Sequence, residues 1–182
     1  MVKMKNPFKA FDEYLMDGIN RKLKNPYCDV FFFYYTNIAG PRFLVALSVV
    51  MLIFGKRLIG GAAYEMVLAL VLSTLAAQLL KRVISRSRPY WVMKNLNTYG
   101  IDLTDYSFPS GHTTAAFTVA TTFSLYFPKI AALCFIMAIL VAISRTYLAV
   151  HYPTDVLAGV IIGIGVAYVV HIYVYDAVAN WI

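Results

Sequence analysis

Residues 107–175 read SFPSGHTTAAFTVATTFSLYFPKIAALCFIMAILVAISRTYLAVHYPTDVLAGVIIGIGVAYVVHIYVY. Three apolar runs, at 112–127, 130–149 and 155–175, are parted only by Pro128-Lys129 and by His151-Tyr152-Pro153. Runs of this length without polar–apolar alternation read as helices, and helices this poor in charge belong in a bilayer. Two more apolar runs lie upstream at 42–55 and 59–80, on either side of Lys56-Arg57. The expected fold is therefore all-α: a multi-pass transmembrane bundle of five to six helices forming one domain over residues 1–182. Several runs fall short of the ~20 residues of a perpendicular span, a gap that flanking residues or local thinning of the bilayer would close.

Composition points the same way. The 182-residue chain is 60% hydrophobic and 14% charged, whereas soluble domains carry about 25% charged residues. Its net charge of +7 is concentrated in the N-terminal segment and in the links between apolar runs. That distribution suits membrane lipids with acidic head groups better than nucleic acid, which is not expected as a partner. Cys28 and Cys134 lie far apart, the second inside an apolar run, and are expected to behave as small hydrophobes rather than as a disulfide or metal ligands. The first residues mix charges throughout and contain no h-region, so a cleaved signal peptide is not expected.

Within residues 1–26, Phe8, Phe11, Leu15, Ile19 and Leu23 form one helical stripe, with Lys9, Asp12, Glu13, Arg21 and Lys22 elsewhere. This predicts an amphipathic helix lying in the membrane interface and ending at Asn25-Pro26. The aromatic stretch 27–38 is too short to span and is expected at the same depth.

The polar residues gather at helix ends. Lys81 and Arg88 stand in KRVISRSRP, seven residues apart, so a helix continuing to Arg88 would project both from one face before Pro89. Two cations so fixed suit a phosphate dianion, though basic residues flanking a membrane helix also serve merely to contact lipid heads. Arg82 and Arg86 fall on other faces and are assigned to that ordinary role. In SFPSGHTTAAF, Ser110 is a natural N-cap, Gly111 permits close backbone approach, and the free amides of the first turn attract anions, with His112 at the rim. In SRTYLAVHYPTD, Arg145 sits near the end of an apolar helix, where a charge needs an interior or a water-filled cavity. Pro153 suits the first turn of the next helix and brings Asp155 close to the His151 ring. With alternating spans, all these ends share one membrane face.

The three motifs K-x6-R-P, P-S-G-H and S-R-x5-H-x3-D, in this order, resemble the type 2 phosphatidic acid phosphatase family, and every fixed position is present between residues 81 and 155. The resemblance implies that His151 attacks phosphorus to form a phosphohistidine, with Asp155 as its orienting partner, and that His112 protonates the leaving oxygen. It further implies that Lys81, Arg88 and Arg145, with amides around Ser110 and Gly111, hold the phosphoryl group. Family members of this kind need no metal or other cofactor, and three cations already balance a phosphomonoester dianion. The expected activity is metal-independent hydrolysis of a terminal phosphate from a lipid phosphate substrate at the cell membrane, such as phosphatidylglycerol phosphate, undecaprenyl diphosphate or phosphatidic acid. The alternatives are a non-catalytic lipid-phosphate binder or transporter, which would need no nucleophile, and a vanadate-binding haloperoxidase-like protein, which would be soluble. Oligomeric state is open. Five crossings put the active-site face with the basic N-terminal segment in the cytoplasm, and an additional crossing within 27–40 would reverse this.

Lesser expectations concern the remaining polar residues. Gln78 is expected to make helix–helix hydrogen bonds, His171 to be structural, and Glu65 to pair with Lys56 or Arg57 or to reach the interface. Asp102 and Asp105 lie in the link over the pocket, where a carboxylate would repel a phosphate, and are assigned to turns or caps, and Tyr90, Trp91 and Tyr106 to an interfacial belt.

Overall fold

The computed structural model describes residues 7–179, and every regular element among them is helical. The first six residues of the amphipathic segment lie outside this range. Helix α1 (Pro7–Met16) continues into a π-helical turn at Asp17–Lys22. Asn25 then caps α2 (Pro26–Tyr35), its side chain accepting from the Cys28 amide at 2.9 Å, with Pro26 in the first turn. A 3-10 turn at Thr36–Ala39 leads into α3 (Pro41–Ile59), followed by α4 (Ala62–Ile84), a single helical turn α5 (Pro89–Val92), α6 (Gly111–Tyr126), α7 (Ala131–Tyr147) and α8 (Pro153–Ala179).

The five predicted runs thus become α3, α4, α6, α7 and α8. Among the described residues, three stretches are long and apolar enough to cross a bilayer: Ala62–Val92, Pro128–Tyr147 and Pro153–Val174. The pair Pro26–Ala39 and Pro41–Gly55, bent by 43°, qualifies as a fourth when taken together. Helix α6 is shorter, about 24 Å at 1.5 Å per residue. It forms the centre of the bundle, packed against α4, α7 and α8.

Small residues set the closest crossing. A Cβ built on Gly163 of α8 would meet the Thr114 carbonyl oxygen at 2.5 Å, and one on Gly159 would meet the Ser110 carbonyl oxygen at 2.9 Å. Only glycine lets the two backbones approach this far, the device by which membrane helices gain dispersion contact where lipid supplies no hydrophobic drive. Hydroxyls lace the same crossing: Thr118 donates to the Thr114 carbonyl at 2.8 Å and lies 3.0 Å from Ser73 of α4. The consequence for the site is register, since the start of α6 is pressed onto the start of α8.

The structure revises two local expectations. Helix α4 does not continue to Arg88; it ends at Ile84, where Ser85 adopts left-handed geometry (φ 47, ψ 40) and donates its amide to the Lys81 carbonyl. Helix α1 and the π-helical turn after it bury Asp12, Met16 and Asn20, spaced four residues apart, while Phe8 and Phe11 of the apolar stripe are exposed. Its inner face is thus mainly polar and docks on the bundle: Asn20 donates to the Tyr147 carbonyl at 2.7 Å and to the Asn97 carbonyl at 3.0 Å.

Candidate active site

The end of α4, the start of α6, the end of α7 and the start of α8 meet at one end of the bundle. His151 lies in the buried link 148–152, where the Arg145 carbonyl accepts from the amides of Val150 and His151 and so ties the link to the end of α7. Its Nδ1 is 2.7 Å from the Ser107 carbonyl oxygen, which makes Nδ1 the protonated nitrogen and leaves the Nε2 lone pair facing Arg88 Nη1 at 3.4 Å. Burial first, then the positive charges of Arg145, Arg88 and Lys81, hold its pKa well below the ordinary 6.5. The ring is neutral at pH 7, the state a nucleophile requires.

Asp155 does not make the hydrogen bond to His151 that its spacing suggests. Its Oδ2 is 3.8 Å from Nδ1 and instead accepts from the Tyr152 amide at 2.9 Å, while Oδ1 accepts from Arg86 at 2.6 Å. Arg86, assigned to an ordinary lipid-facing role, is a central connector. It also pairs with buried Asp12 of α1 at 2.6 Å, donates to Thr154 at 2.7 Å, and stacks on the Tyr152 ring with its guanidinium carbon 4.0 Å from the centroid. Asp12 accepts in addition from the Thr154 amide and hydroxyl. The chain Asp12–Arg86–Asp155 therefore fixes the first turn of α8, and the backbone bond from the Ser110 amide to the Asp155 carbonyl at 3.1 Å fixes α6 against it.

Lys81 and Arg88 do converge, but through the turn after Ile84 and through Asp105, which had been assigned to a turn. Asp105 accepts from Lys81 Nζ at 2.7 Å and from Arg88 Nη2 at 2.6 Å. Burial pushes the Asp105 carboxyl up, yet the hydrogen bond from Lys81 and the charge of both cations outweigh it and hold it at about 2. Arg88 also donates to the carbonyls of Asp105 and Val150, each at 2.7 Å. Arg145 differs from both. It is 3% exposed, its Nη1 donates to the Thr36 hydroxyl at 2.8 Å, its Nε has no partner, and no carboxylate pairs with it among the described residues. A buried guanidinium left uncompensated in this way is a strong anion receptor.

Ser110 caps α6 as expected, accepting from the Thr113 amide, and a Cβ built on Gly111 would meet nothing within 4 Å, which leaves open space beside the first-turn amides. His112 and Arg145 line a cavity of about 710 Å3, together with Thr36, Asn37, Arg42 and Leu103. An apolar cavity of about 280 Å3 between α3, α6 and α7 adjoins it, the two sharing Ile38 and Phe43.

Elsewhere, Glu65 is buried and takes the Tyr126 hydroxyl at 2.7 Å and His171 Nδ1 at 3.0 Å, so the expected pairing of Glu65 with a loop cation gives way to a link among α4, α6 and α8. Tyr90 pins the link, its hydroxyl bonding both the amide and the carbonyl of Leu103. Gln78 is exposed on α4. Sequence reasoning passed over Asp12, Thr36, Arg86 and Ser107 as site components. Of these, Arg86 and Ser107 stood within quoted stretches, whereas Asp12 and Thr36 lie far from any motif.

An all-helical bundle with apolar spans and a neutral histidine set among buried cations defines an integral membrane protein with a built anion site. Residues 62–179 match the PAP2 superfamily, and the chain belongs to it. It is 35% identical over 121 residues to an undecaprenyl-diphosphatase of Sulfolobus acidocaldarius, covering 65% of this chain and 57% of that protein. The chain spans about half the length of the first curated relatives it matches. Among solved structures it resembles Aquifex aeolicus LpxE with a TM-score of 0.81 and 32% identity, covering 90% of this chain and 96% of that one. It also resembles the transmembrane PAP2 type phosphatidylglycerolphosphate phosphatase of Bacillus subtilis, with a TM-score of 0.77 and 25% identity, covering 95% of this chain and 89% of that one.

Proposed function

We propose that the chain is a single membrane phosphatase domain that removes a terminal phosphate from a lipid phosphate through a phosphohistidine. The observation that carries the reading is the His151 ring. Its Nδ1 is held by the Ser107 carbonyl, and its Nε2 is directed at Arg88 with the unpaired Arg145 nearby. Nε2 attacks phosphorus and the bond to the leaving oxygen breaks, while His112 supplies the proton that the leaving oxygen takes up. Water then attacks the phosphohistidine, His112 accepts its proton, and inorganic phosphate leaves with His151 neutral again.

Lys81, Arg88, Arg145 and the amides at Ser110 and Gly111 stabilise the charge that builds on the equatorial oxygens, an effect greatest where water is scarce. Asp155 acts as a positioning residue. At 3.8 Å its carboxylate favours the imidazolium formed on phosphorylation, and its bond to the Tyr152 amide holds the link. A lipid is the substrate class because the polar cavity adjoins the apolar one, which suits a hydrocarbon tail. The names of the relatives support the same class.

Five crossings in a cell membrane, with α1 also touching lipid through exposed Phe8 and Phe11, complete the reading. Its test is phosphate release from lipid phosphates by the purified protein with EDTA present, comparing wild type with His151→Ala and His112→Ala. His151→Ala is expected to abolish release, and undiminished release by that variant rejects the mechanism.

A further inference from the structure

The 710 Å3 cavity is far larger than a phosphoryl group needs and falls in the range of a site for a whole ligand, roughly 300–1,000 Å3. His112 and Arg145 line it, whereas His151, Lys81 and Arg88 do not. In an in-line displacement the leaving oxygen departs opposite the attacking nitrogen. His112, which protonates that oxygen, lines this cavity and so places the atoms beyond the oxygen on the same side. Its wall is cationic and polar, with Arg42, Arg145 and His112 joined by Thr36 and Asn37, and no carboxylate lines it.

Arg42 belongs to none of the three motifs and lies outside the stretch matched by the family. It is exposed and has no hydrogen-bond or ion-pair partner among the described residues. It stands in the first turn of α3, directly after Gly40-Pro41, and that segment abuts the expected acid: a Cβ built on Gly40 would lie 3.6 Å from His112 Nε2. The start of a 19-residue helix adds its own positive end to the same wall. The partnerless Nε of buried Arg145 is an independent sign that this cavity receives an anion.

We propose that Arg42 is a specificity-determining residue that binds a second phosphate on the leaving-group side, so that the enzyme favours lipids whose scissile phosphate is accompanied by another over lone phosphomonoesters. The inference rests on the phosphatase reading above. When Nε2 of His151 takes the terminal phosphoryl group, the departing lipid keeps the bond electrons and receives the proton from His112. If that lipid still carries a phosphate, the charge remains in the cavity against Arg42. A lone monoester leaves as an alcohol, and Arg42 has nothing to hold. The shared chemistry is a second phosphate, either joined directly as a diphosphate or set a few bonds away as a phosphodiester.

Two matched pairs test the proposal on the full chain in detergent: farnesyl diphosphate against farnesyl monophosphate, and phosphatidylglycerol phosphate against phosphatidic acid. The ratio of kcat/KM within each pair is measured for wild type, Arg42→Ala and Arg42→Lys. The expected result is a fall in the ratio of about tenfold for Arg42→Ala, with partial recovery in Arg42→Lys, in the pair that matches the true spacing. A fall in the farnesyl pair assigns the diphosphate, and a fall in the glycerophospholipid pair assigns the spaced phosphodiester. Ratios equal to wild type in both pairs overturn the proposal, because an arginine that only contacts lipid heads or supports the fold alters both members alike. Absence of His151-dependent release from all four lipids by the wild type overturns the phosphatase reading and this inference with it.

Discussion

Asp105 holds the same donors that a phosphate would use, and Asp105→Asn isolates what that costs. The substitution removes a charge but leaves in place the backbone carbonyls that also bind these cations, those of Asp105 toward Arg88 at 2.7 Å and of Tyr106 toward Lys81 at 2.6 Å. The carboxyl titrates at about 2 rather than at the ordinary 3.8. At 1.36 kcal/mol per unit that difference corresponds to about 2.4 kcal/mol. The side chain is 52% exposed, so solvent screening reduces the effective interaction to about 1 kcal/mol. Because the folded pKa is depressed, this stabilisation is complete above pH 3.8 and is lost as the pH falls through 2. Asp105→Asn should therefore be less stable than wild type at neutral pH and should lose this part of its acid sensitivity.

Ligand binding should move the other way. An anion entering between Lys81 and Arg88 must displace the carboxylate, and removing a competitor worth about 1 kcal/mol tightens the anion by about fivefold. Orthovanadate, which takes the pentacoordinate geometry, is the probe, with its competitive inhibition constant measured against p-nitrophenyl phosphate at pH 7. Thermal unfolding with and without vanadate gives a second reading, and the variant should gain more from the ligand than wild type does. Equal or weaker inhibition of Asp105→Asn would refute the competition and make Asp105 a strut that orients the two cations.

Three other outcomes follow from the same geometry. His112→Ala should lose far more activity on an alkyl phosphate than on an aryl phosphate, whose leaving group hardly needs an acid; matched kcat/KM losses would remove His112 from that role. Gly163→Ala should cost about 1–3 kcal/mol by driving a methyl against the Thr114 carbonyl, and it should slow turnover because that crossing sets Ser110 against Asp155; chemical denaturation and phosphate release measure the two effects. Asp12→Ala leaves Arg86 with one carboxylate fewer and should cost roughly 3 kcal/mol; unaltered stability and turnover would show that α1 is a bystander.

The sequence revealed the parts whose logic is local. Proline and charge punctuation between apolar runs located five helices, since helix length and hydropathy are properties of neighbouring residues. Ser110 read as an N-cap and Pro153 as a helix start because capping is chemistry within one turn. Errors arose where a partner lies far along the chain. The i to i+7 argument for Lys81 and Arg88 assumed an unbroken helix, and no nearby residue announced the left-handed turn at Ser85. Once that helix was assumed, Arg86 fell on the wrong face, although it carries the link from Asp12 to Asp155 across the fold.

Asp105 shows a different kind of illegibility. Taken alone, a carboxylate beside a phosphate site argues against itself by repulsion, and the sequence reading followed that argument. The structure answers it with stoichiometry of charge. Lys81, Arg88 and Arg145 are all buried, and three uncompensated cations in one apolar setting would be costlier than the repulsion of a half-exposed carboxylate. Asp105 offsets the two cations it can hydrogen-bond from the link, and Arg145, beyond hydrogen-bonding reach of it, is bonded among the described residues to a neutral hydroxyl. The site is thereby divided into a compensated half at Lys81 and Arg88 and an uncompensated half at Arg145, next to His112 and the cavity. An arriving dianion would be drawn first to the uncompensated half and would then exchange with Asp105, an order of events that follows from where the charge is balanced rather than from which motif a residue belongs to.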